Sequence, residues 1–285
     1  MATTIWIDGQ YYDRDTAKVS VFDHGLLYGD GVFEGIRAYD GKIFRLRQHL
    51  ERLYDSAKAI ALTIPMTIEE MTTMTEEALT RSAIGNAYLR LLVTRGVGDL
   101  GLDPRNCPKP TVVLIVDTIK LFNPEVLARG LTVVTAGTPI PNRESLSPRV
   151  KSLNYLPHIM ARLEGTNAGA DEVIMLEAGG TVAEGSGTNL FIMKDGVLKT
   201  TPPWAGILQG VTRDAVLELA HGMGMPVQET MLNRYDIYTA DEAFFTGTAS
   251  ELVAIRSVDN RQIGAGAPGP QTKRLQEAYA ALIRA

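Results

Sequence analysis

Lys151 stands in the run Ser-Pro-Arg-Val-Lys-Ser-Leu-Asn-Tyr over 147–155, with apolar neighbours and a proline-rich approach. A lysine drawn out of water loses its charge cheaply and becomes an amine nucleophile. Glu184 opens a second run, Glu-Gly-Ser-Gly-Thr-Asn-Leu, so rich in glycine that something must approach its backbone closely. A carboxylate drawn out of water needs a cationic partner. The other eight lysines have ordinary settings. Lys42, Lys194 and Lys199 flank Asp-Gly turns, and Lys109 lies between prolines. Lys58 and Lys273 fall on polar helix faces, and Lys18 and Lys120 at strand or loop edges. Elimination of this kind leaves a structural lysine as the alternative.

Two further stretches suit an anion. Gly210-Val211-Thr212 starts a helix and offers backbone N–H groups, the positive end of a dipole and a hydroxyl. Gly247-Thr248-Ala249 is a second turn of small residues with a hydroxyl. A neutral amine, an acid to keep a ring nitrogen protonated and a cradle for a phosphate are together the requirements of pyridoxal 5′-phosphate. Each piece alone is ordinary; a Gly-Thr helix start is usually only a cap.

Other charged residues stand where elements would position them. Leu46, Leu50, Leu53, Ala57 and Ile60 form one face of a helix over 46–61, and Arg52 lies beside that stripe. It could reach a phosphate, or be a solvated surface arginine. Arg90 is the middle residue of a strand over 88–94, on one side with Tyr88, Leu92 and Thr94. A mid-strand arginine in apolar company pairs with an internal carboxylate or awaits one from a substrate.

The remaining pattern supplies the frame. Hairpins are expected around Asp8-Gly9, Asp40-Gly41 and Asp195-Gly196. Strands are expected at 19–22, 36–39, 111–117, 131–135, 172–176 and 243–246, and helices at 68–82, 153–167, 210–221 and 271–283. The run from His24 to Gly35 reads as a glycine-rich loop carrying Tyr28 and Phe33. The 285 residues suffice for two domains, with a boundary placed in 118–129.

Composition excludes several classes. Hydrophobic residues make up 45% and charged residues 21%, with a net charge of -5 and no basic tract, which argues against nucleic-acid binding. No apolar run approaches the roughly 20 residues of a membrane span, and the N-terminus lacks a signal pattern. The single Cys107 suggests a reducing cytoplasm. Four histidines show no metal-ligand spacing, so no metal is expected.

Taken together, these segments resemble the class IV (fold-type IV) pyridoxal-phosphate aminotransferases, and among them the branched-chain amino acid aminotransferases. The resemblance runs from Tyr-Gly-Asp-Gly-Val-Phe-Glu-Gly at 28–35 to Gly-Pro-Gln-Thr at 269–272. Its most specific parts are His-Leu-Glu-Arg-Leu at 49–53, Lys-Ser-Leu-Asn-Tyr-Leu at 151–156, Glu184 to Leu190, Gly210 to Arg213 and Gly247 to Ala249. It implies an α+β fold of two domains. They are a small N-terminal α/β sandwich over 1–118 and a larger C-terminal pseudo-barrel over 131–285, with an interdomain loop at 119–130.

The resemblance also implies roles. Lys151 would bind the cofactor covalently and carry the proton of the substrate α-carbon. Glu184 would face the pyridine nitrogen, and Tyr155 the ring hydroxyl. Arg52, Gly210, Val211, Thr212, Gly247 and Thr248 would hold the phosphate, while Leu208, Ser186 and Gly187 enclose the ring. Thr248 and Ala249 amides would take the substrate α-carboxylate. Phe33 and Gly35, with Tyr28 and Leu102 supplied by a neighbouring subunit, would shape an apolar pocket. Tyr88 and Arg90 would take the distal carboxylate of glutamate. The implied reaction is transamination between Leu, Ile or Val and 2-oxoglutarate in a cytoplasmic homodimer or assembly of dimers. D-amino acid and (R)-amine transaminases of the same fold are the alternative, then a lyase like the aminodeoxychorismate branch or a non-catalytic cofactor binder. Ser250 stands where the family commonly has a second alanine, and Phe122 is the one aromatic of the interdomain loop.

Overall fold

The computed structural model describes residues 3–120 and 122–284; position 121, inside the expected interdomain loop, lies outside them, as do positions 1, 2 and 285. The chain is α+β and divides into two compact units. One comprises 1–119 with 150–154, the other 120–149 with 155–285.

The first unit is built on β1 (Thr4–Ile7), β2 (Gln10–Tyr12), α1 (His24–Tyr28), β3 (Gly31–Tyr39), β4 (Lys42–Ile43), α2 (Leu46–Ala59), α3 (Ile68–Ser82), β5 (Tyr88–Thr94) and β6 (Thr111–Asp117). Its six strands form an antiparallel sheet in the order β2-β1-β6-β5-β3-β4. Asp8-Gly9 and Asp40-Gly41 turn the two hairpins with positive φ at both positions, the twist that two-residue hairpins require. Thr67 and Glu70 close a capping box at the start of α3. One sheet face buries Val32, Ile36, Leu89, Leu91, Val93 and Leu114 against Leu50, Leu53, Met71 and Leu79 of α2 and α3. Period-two alternation therefore turns Phe33, Gly35, Tyr88 and Arg90 to the other face.

The second unit contains α4 (Pro124–Arg129), β7 (Leu131–Thr135), α5 (Leu156–Asn167), β8 (Glu172–Leu176), β9 (Val182–Gly185), β10 (Asn189–Lys194), β11 (Val197–Thr200), α6 (Val211–Gly222), β12 (Val227–Glu229), α7 (Arg234–Tyr238), β13 (Glu242–Gly247), β14 (Glu251–Val258), β15 (Arg261–Gln262) and α8 (Pro270–Leu282). Its sheet runs β12-β11-β10-β13-β14-β7-β8-β9, with β15 beside β14. The pairs β11–β12, β14–β7 and β7–β8 are parallel and the rest antiparallel. The terminal strand β9 returns into contact with β10, so the sheet curls on itself.

Four local readings differ from expectation. Residues 19–22 run as irregular, exposed chain, because Ser20 accepts the Phe22 amide on its hydroxyl and the Asp23 amide on its carbonyl, a local turn that competes with a ladder. The glycine-rich run 24–35 is α1 followed by the first half of β3. Its glycines serve packing: a Cβ at Gly31 would lie 2.7 Å from both Leu153 Cδ1 and the Val93 carbonyl. The helix expected from 153 begins at Leu156, because the preceding segment pairs with β3: Phe33 N–H donates to the Lys151 carbonyl and Leu153 N–H to the Gly31 carbonyl, each at 2.9 Å. Finally, β14, not expected from sequence, is a central strand of the second sheet. Its pattern is obscured by Arg256, a positive φ at Glu251 and a register shift between Ile255 and Ser257.

Candidate active site

On the open face of the first sheet, β3 and β5 pair Gly35 with Arg90 and Arg37 with Tyr88. Arg90 Nη2 donates to the Tyr88 hydroxyl at 2.9 Å, and its guanidinium lies 4.8 Å from the Phe33 ring centroid. Gly35 has no side chain for a steric reason: a Cβ there would collide with the Tyr88 hydroxyl. The Lys151 ammonium nitrogen sits 4.6 Å from the centroid of the same Phe33 ring. The lysine backbone is held twice, by the Phe33 amide and by its own N–H donating to Ser56 Oγ of α2 at 3.1 Å. Phe33, Gly35, Tyr88, Arg90 and Lys151 are thus gathered around one aromatic ring.

Arg52 is on the opposite, core side of β3. Its Nε and Nη2 donate to the two oxygens of Glu34 at 2.7 and 2.8 Å, and His49 Nδ1 lies 2.8 Å from Glu34 Oε2. Burial opposes charge on Glu34, which is 0% exposed, but the attraction and hydrogen bonds of Arg52 and His49 outweigh it and hold the carboxyl well below the usual carboxylate range. Burial also pushes His49 down from its ordinary value; Glu34 opposes this, and the charges of Arg52 and Lys151 add to it. Because a carboxylate only accepts, Nδ1 carries the proton.

Tyr28 and Leu102 do not join this group by any described contact. They lie in exposed segments, 38% and 78% accessible, and the Tyr28 hydroxyl donates to the Leu100 carbonyl at 2.5 Å.

In the second unit, Glu184 lies near the end of β9 and is 5% exposed. Asn189 Nδ2 donates to its Oε2 at 2.9 Å, and the Leu208 amide donates to both oxygens at 3.1–3.2 Å. The same Asn189 amide donates to the Leu208 carbonyl at 2.8 Å. Asn189 also crowds Gly210, where any Cβ would strike its Oδ1. One asparagine thus connects the acid, the residue assigned to the ring and the first residue of the α6 cradle. Ser186 donates to buried Glu172 at 2.6 Å, which fixes the turn carrying Gly187. Tyr155 stacks on His158, with centroids 4.4 Å apart.

The α6 start differs from that of α8. Glu242 fills the latter, accepting the Gln271 and Thr272 amides and the Thr272 hydroxyl at 2.7–3.0 Å. At α6 Gly210 is the N-cap, and no described side chain caps it. Around Gly247, Thr188 Oγ1, Thr246 Oγ1 and Ser250 Oγ are buried without a described hydrogen-bond partner, and a Cβ on Gly247 would meet Ser250 and Thr188. Within the second unit, small-residue turns with orphaned hydroxyls, an uncapped helix start and a buried acid are groups of the kinds that a phosphate and a protonated ring nitrogen call for, so these residues fit pyridoxal phosphate.

Glu34, His49 and Asn189 were absent from the sequence-derived site. Asn189 carried one usable signal, an asparagine opening an otherwise apolar strand. Glu34 and His49 stand in runs that carry the family resemblance, but neither run shows their pairing, which joins a strand to a helix. Among the described residues no group of three or more His, Cys, Asp or Glu could hold a metal ion.

Residues 31–258 match the amino-transferase class IV family. The chain is similar to a Methanocaldococcus jannaschii protein with a provisional branched-chain-amino-acid aminotransferase name, 50% identical over 96% of this chain and 94% of that one. It is similar in structure to the Escherichia coli branched-chain amino acid aminotransferase, with TM-score 0.96 and 36% identity over 99% and 95% of the two chains. It is also similar to the T.th. branched-chain amino acid aminotransferase complexed with N-(5′-phosphopyridoxyl)-L-glutamate, with TM-score 0.94 and 35% identity over 99% and 94%.

Proposed function

The chain belongs to the class IV aminotransferases, and from that premise we propose how its residues carry out branched-chain amino acid transamination with pyridoxal phosphate. The amino group of leucine, isoleucine or valine passes to 2-oxoglutarate, giving the branched 2-oxo acid and L-glutamate. The carrying observation is the shared ring of Phe33, with the Lys151 amine on it at 4.6 Å and the Arg90 guanidinium at 4.8 Å. An apolar side chain packs on that ring. A distal carboxylate instead meets Arg90, whose position Tyr88 fixes. One pocket so accepts both partners of the exchange.

When bound, the cofactor supplies an electron sink next to the substrate α-carbon. Lys151, as a neutral amine, would take the proton from that carbon and deliver it to the cofactor C4′, and would carry it the other way in the second half-reaction. Glu184, held by Asn189 and the Leu208 amide, keeps the ring nitrogen protonated. Tyr155 hydrogen-bonds the ring hydroxyl. Leu208, Ser186 and Gly187 enclose the ring, and Gly247 lets backbone approach. Arg52, the Gly210 to Thr212 amides and Thr248 hold the phosphate. The Thr248 and Ala249 amides orient the substrate α-carboxylate.

Tyr28 and Leu102, exposed on this chain, serve the site of a second copy in a homodimer, and the enzyme works in the cytoplasm. Residues 119–130, which include the short helix α4, link domains spanning 1–118 and 131–285, and limited proteolysis should cut there first. The function is tested by mixing purified holoenzyme with one amino donor at a time and following the visible cofactor spectrum. L-leucine should convert it and release a keto acid, while D-alanine and a chiral amine should not. Conversion by D-alanine or the amine with none by L-leucine would transfer the chain to a neighbouring branch.

A further inference from the structure

Glu34 follows Phe33 on β3 and so points to the opposite face of the strand, toward α2. His49, Arg52 and Ser56 lie on α2 at spacings of three and four, one stripe of that helix. All three are engaged. Arg52 forks onto both Glu34 oxygens, His49 donates to one of them, and Ser56 accepts the Lys151 amide. A guanidinium is planar and rigid, so an acid that grips its Nε and Nη2 side also sets where the Nη1 edge points. Left alone, an arginine side chain samples many rotamers; held by a buried carboxylate, it meets an anion with its direction already chosen. His49 satisfies Glu34 further through its Nδ1–H, 2.8 Å from Oε2.

We propose that Glu34, backed by His49, is a positioning residue of the anion site: its carboxylate clamps Arg52 and fixes the direction from which the guanidinium meets the cofactor phosphate. This rests on the reading of Arg52 as a phosphate residue. Holoenzyme is stripped of cofactor and titrated back with pyridoxal phosphate or with pyridoxal, which lacks the phosphate, following visible absorbance. In Glu34→Gln the dissociation constant for pyridoxal phosphate should rise by roughly 10–100-fold, the usual cost of losing a partner that orients a ligand-holding residue, while that for pyridoxal moves less than about twofold.

Equal losses for both compounds would mark a general structural role and overturn the proposal. So would unchanged or tighter binding of pyridoxal phosphate, the result expected if the Glu34 charge merely opposed the phosphate. Should Glu34→Gln not fold, His49→Gln carries the test, because it leaves the Glu34–Arg52 fork in place. It should weaken the phosphorylated compound severalfold and leave pyridoxal alone, and parallel changes would overturn the proposal. Arg52→Gln separates the two layers of the argument. If it preserves the wild-type preference for the phosphorylated compound, Arg52 is not a phosphate residue and the inference falls with that reading.

Discussion

Arg90 shows how much one side chain depends on its neighbours. Tyr88 takes one of its donors and Phe33 lies under its plane, so the guanidinium stands still in a largely apolar setting. A charge-assisted hydrogen bond contributes about 1.5–3 kcal/mol. Arg90→Ala should therefore lower kcat/KM for glutamate and 2-oxoglutarate by roughly 10–100-fold and for leucine far less. Equal losses would deny Arg90 its role. Lys151→Ala should abolish transamination and the visible spectrum of the bound cofactor; an unaltered spectrum would remove the basis of the mechanism. His49 gives a pH signature. Its folded value lies below its ordinary one, with Glu34, Arg52 and Lys151 as the charged groups facing it. The unfolded chain thus takes up the proton first, and stability present above about pH 6.5 is lost as pH falls below it. Glu34 is depressed too, so its contribution persists until pH falls below the usual carboxylate range. Urea midpoints of cofactor-free protein should decline between about pH 7 and pH 5, by at most about 1.4 kcal/mol per pH unit from this one group, and His49→Gln should flatten the decline.

Elements explain the glycines that residue types alone left ambiguous. Gly35 and Gly210 both lie where a Cβ has no room, against Tyr88 on a neighbouring strand and against Asn189 across a turn. The consequences differ because the elements differ. Gly35→Ala displaces the Tyr88–Arg90 pair and should resemble Arg90→Ala in its selective loss of dicarboxylate substrates, with little change in cofactor affinity. Gly210→Ala displaces the α6 start and the Asn189 support of Glu184, so it should weaken cofactor binding for all substrates alike. Swapped phenotypes, read from cofactor titration and kcat/KM, would refute the division of labour. Strands and helices with strong periodicity, such as 68–82 and 131–135, were legible in the sequence because burial on one side imposes the pattern. The segment 150–154 was not, because its pairing partner lies more than a hundred residues earlier.

At the scale of the whole molecule, a bound cofactor acts on the stability of the fold. A ligand bound only by folded chain stabilises it by mass action, about 2.7 kcal/mol at a hundredfold excess over the dissociation constant. The thermal midpoint should therefore climb with added pyridoxal phosphate, and stripping the cofactor should lower it. A midpoint indifferent to cofactor would mean that the cofactor-holding residues are misassigned. Val21, Leu26, Leu100 and Leu102 are exposed apolar residues, as is Tyr28. If they meet a second copy, sedimentation should report a dimer, and Leu102→Asp should weaken it and the activity together.

The amino-acid sequence by itself determined the chemistry: an amine, an acid, two small-residue cradles and a mid-strand arginine are side-chain types that survive any folding, and their local runs are readable as written. It also determined the local elements, whose periods follow from burying one face. Only the tertiary structure decided which groups support which. Arg52 on Glu34 and Phe33 beneath both Lys151 and Arg90 are pairings across separated stretches of chain, and Asn189 meets Glu184 because a tight turn folds one strand back beside the other. Such contacts arise when sheets and helices pack, and no local spacing encodes them.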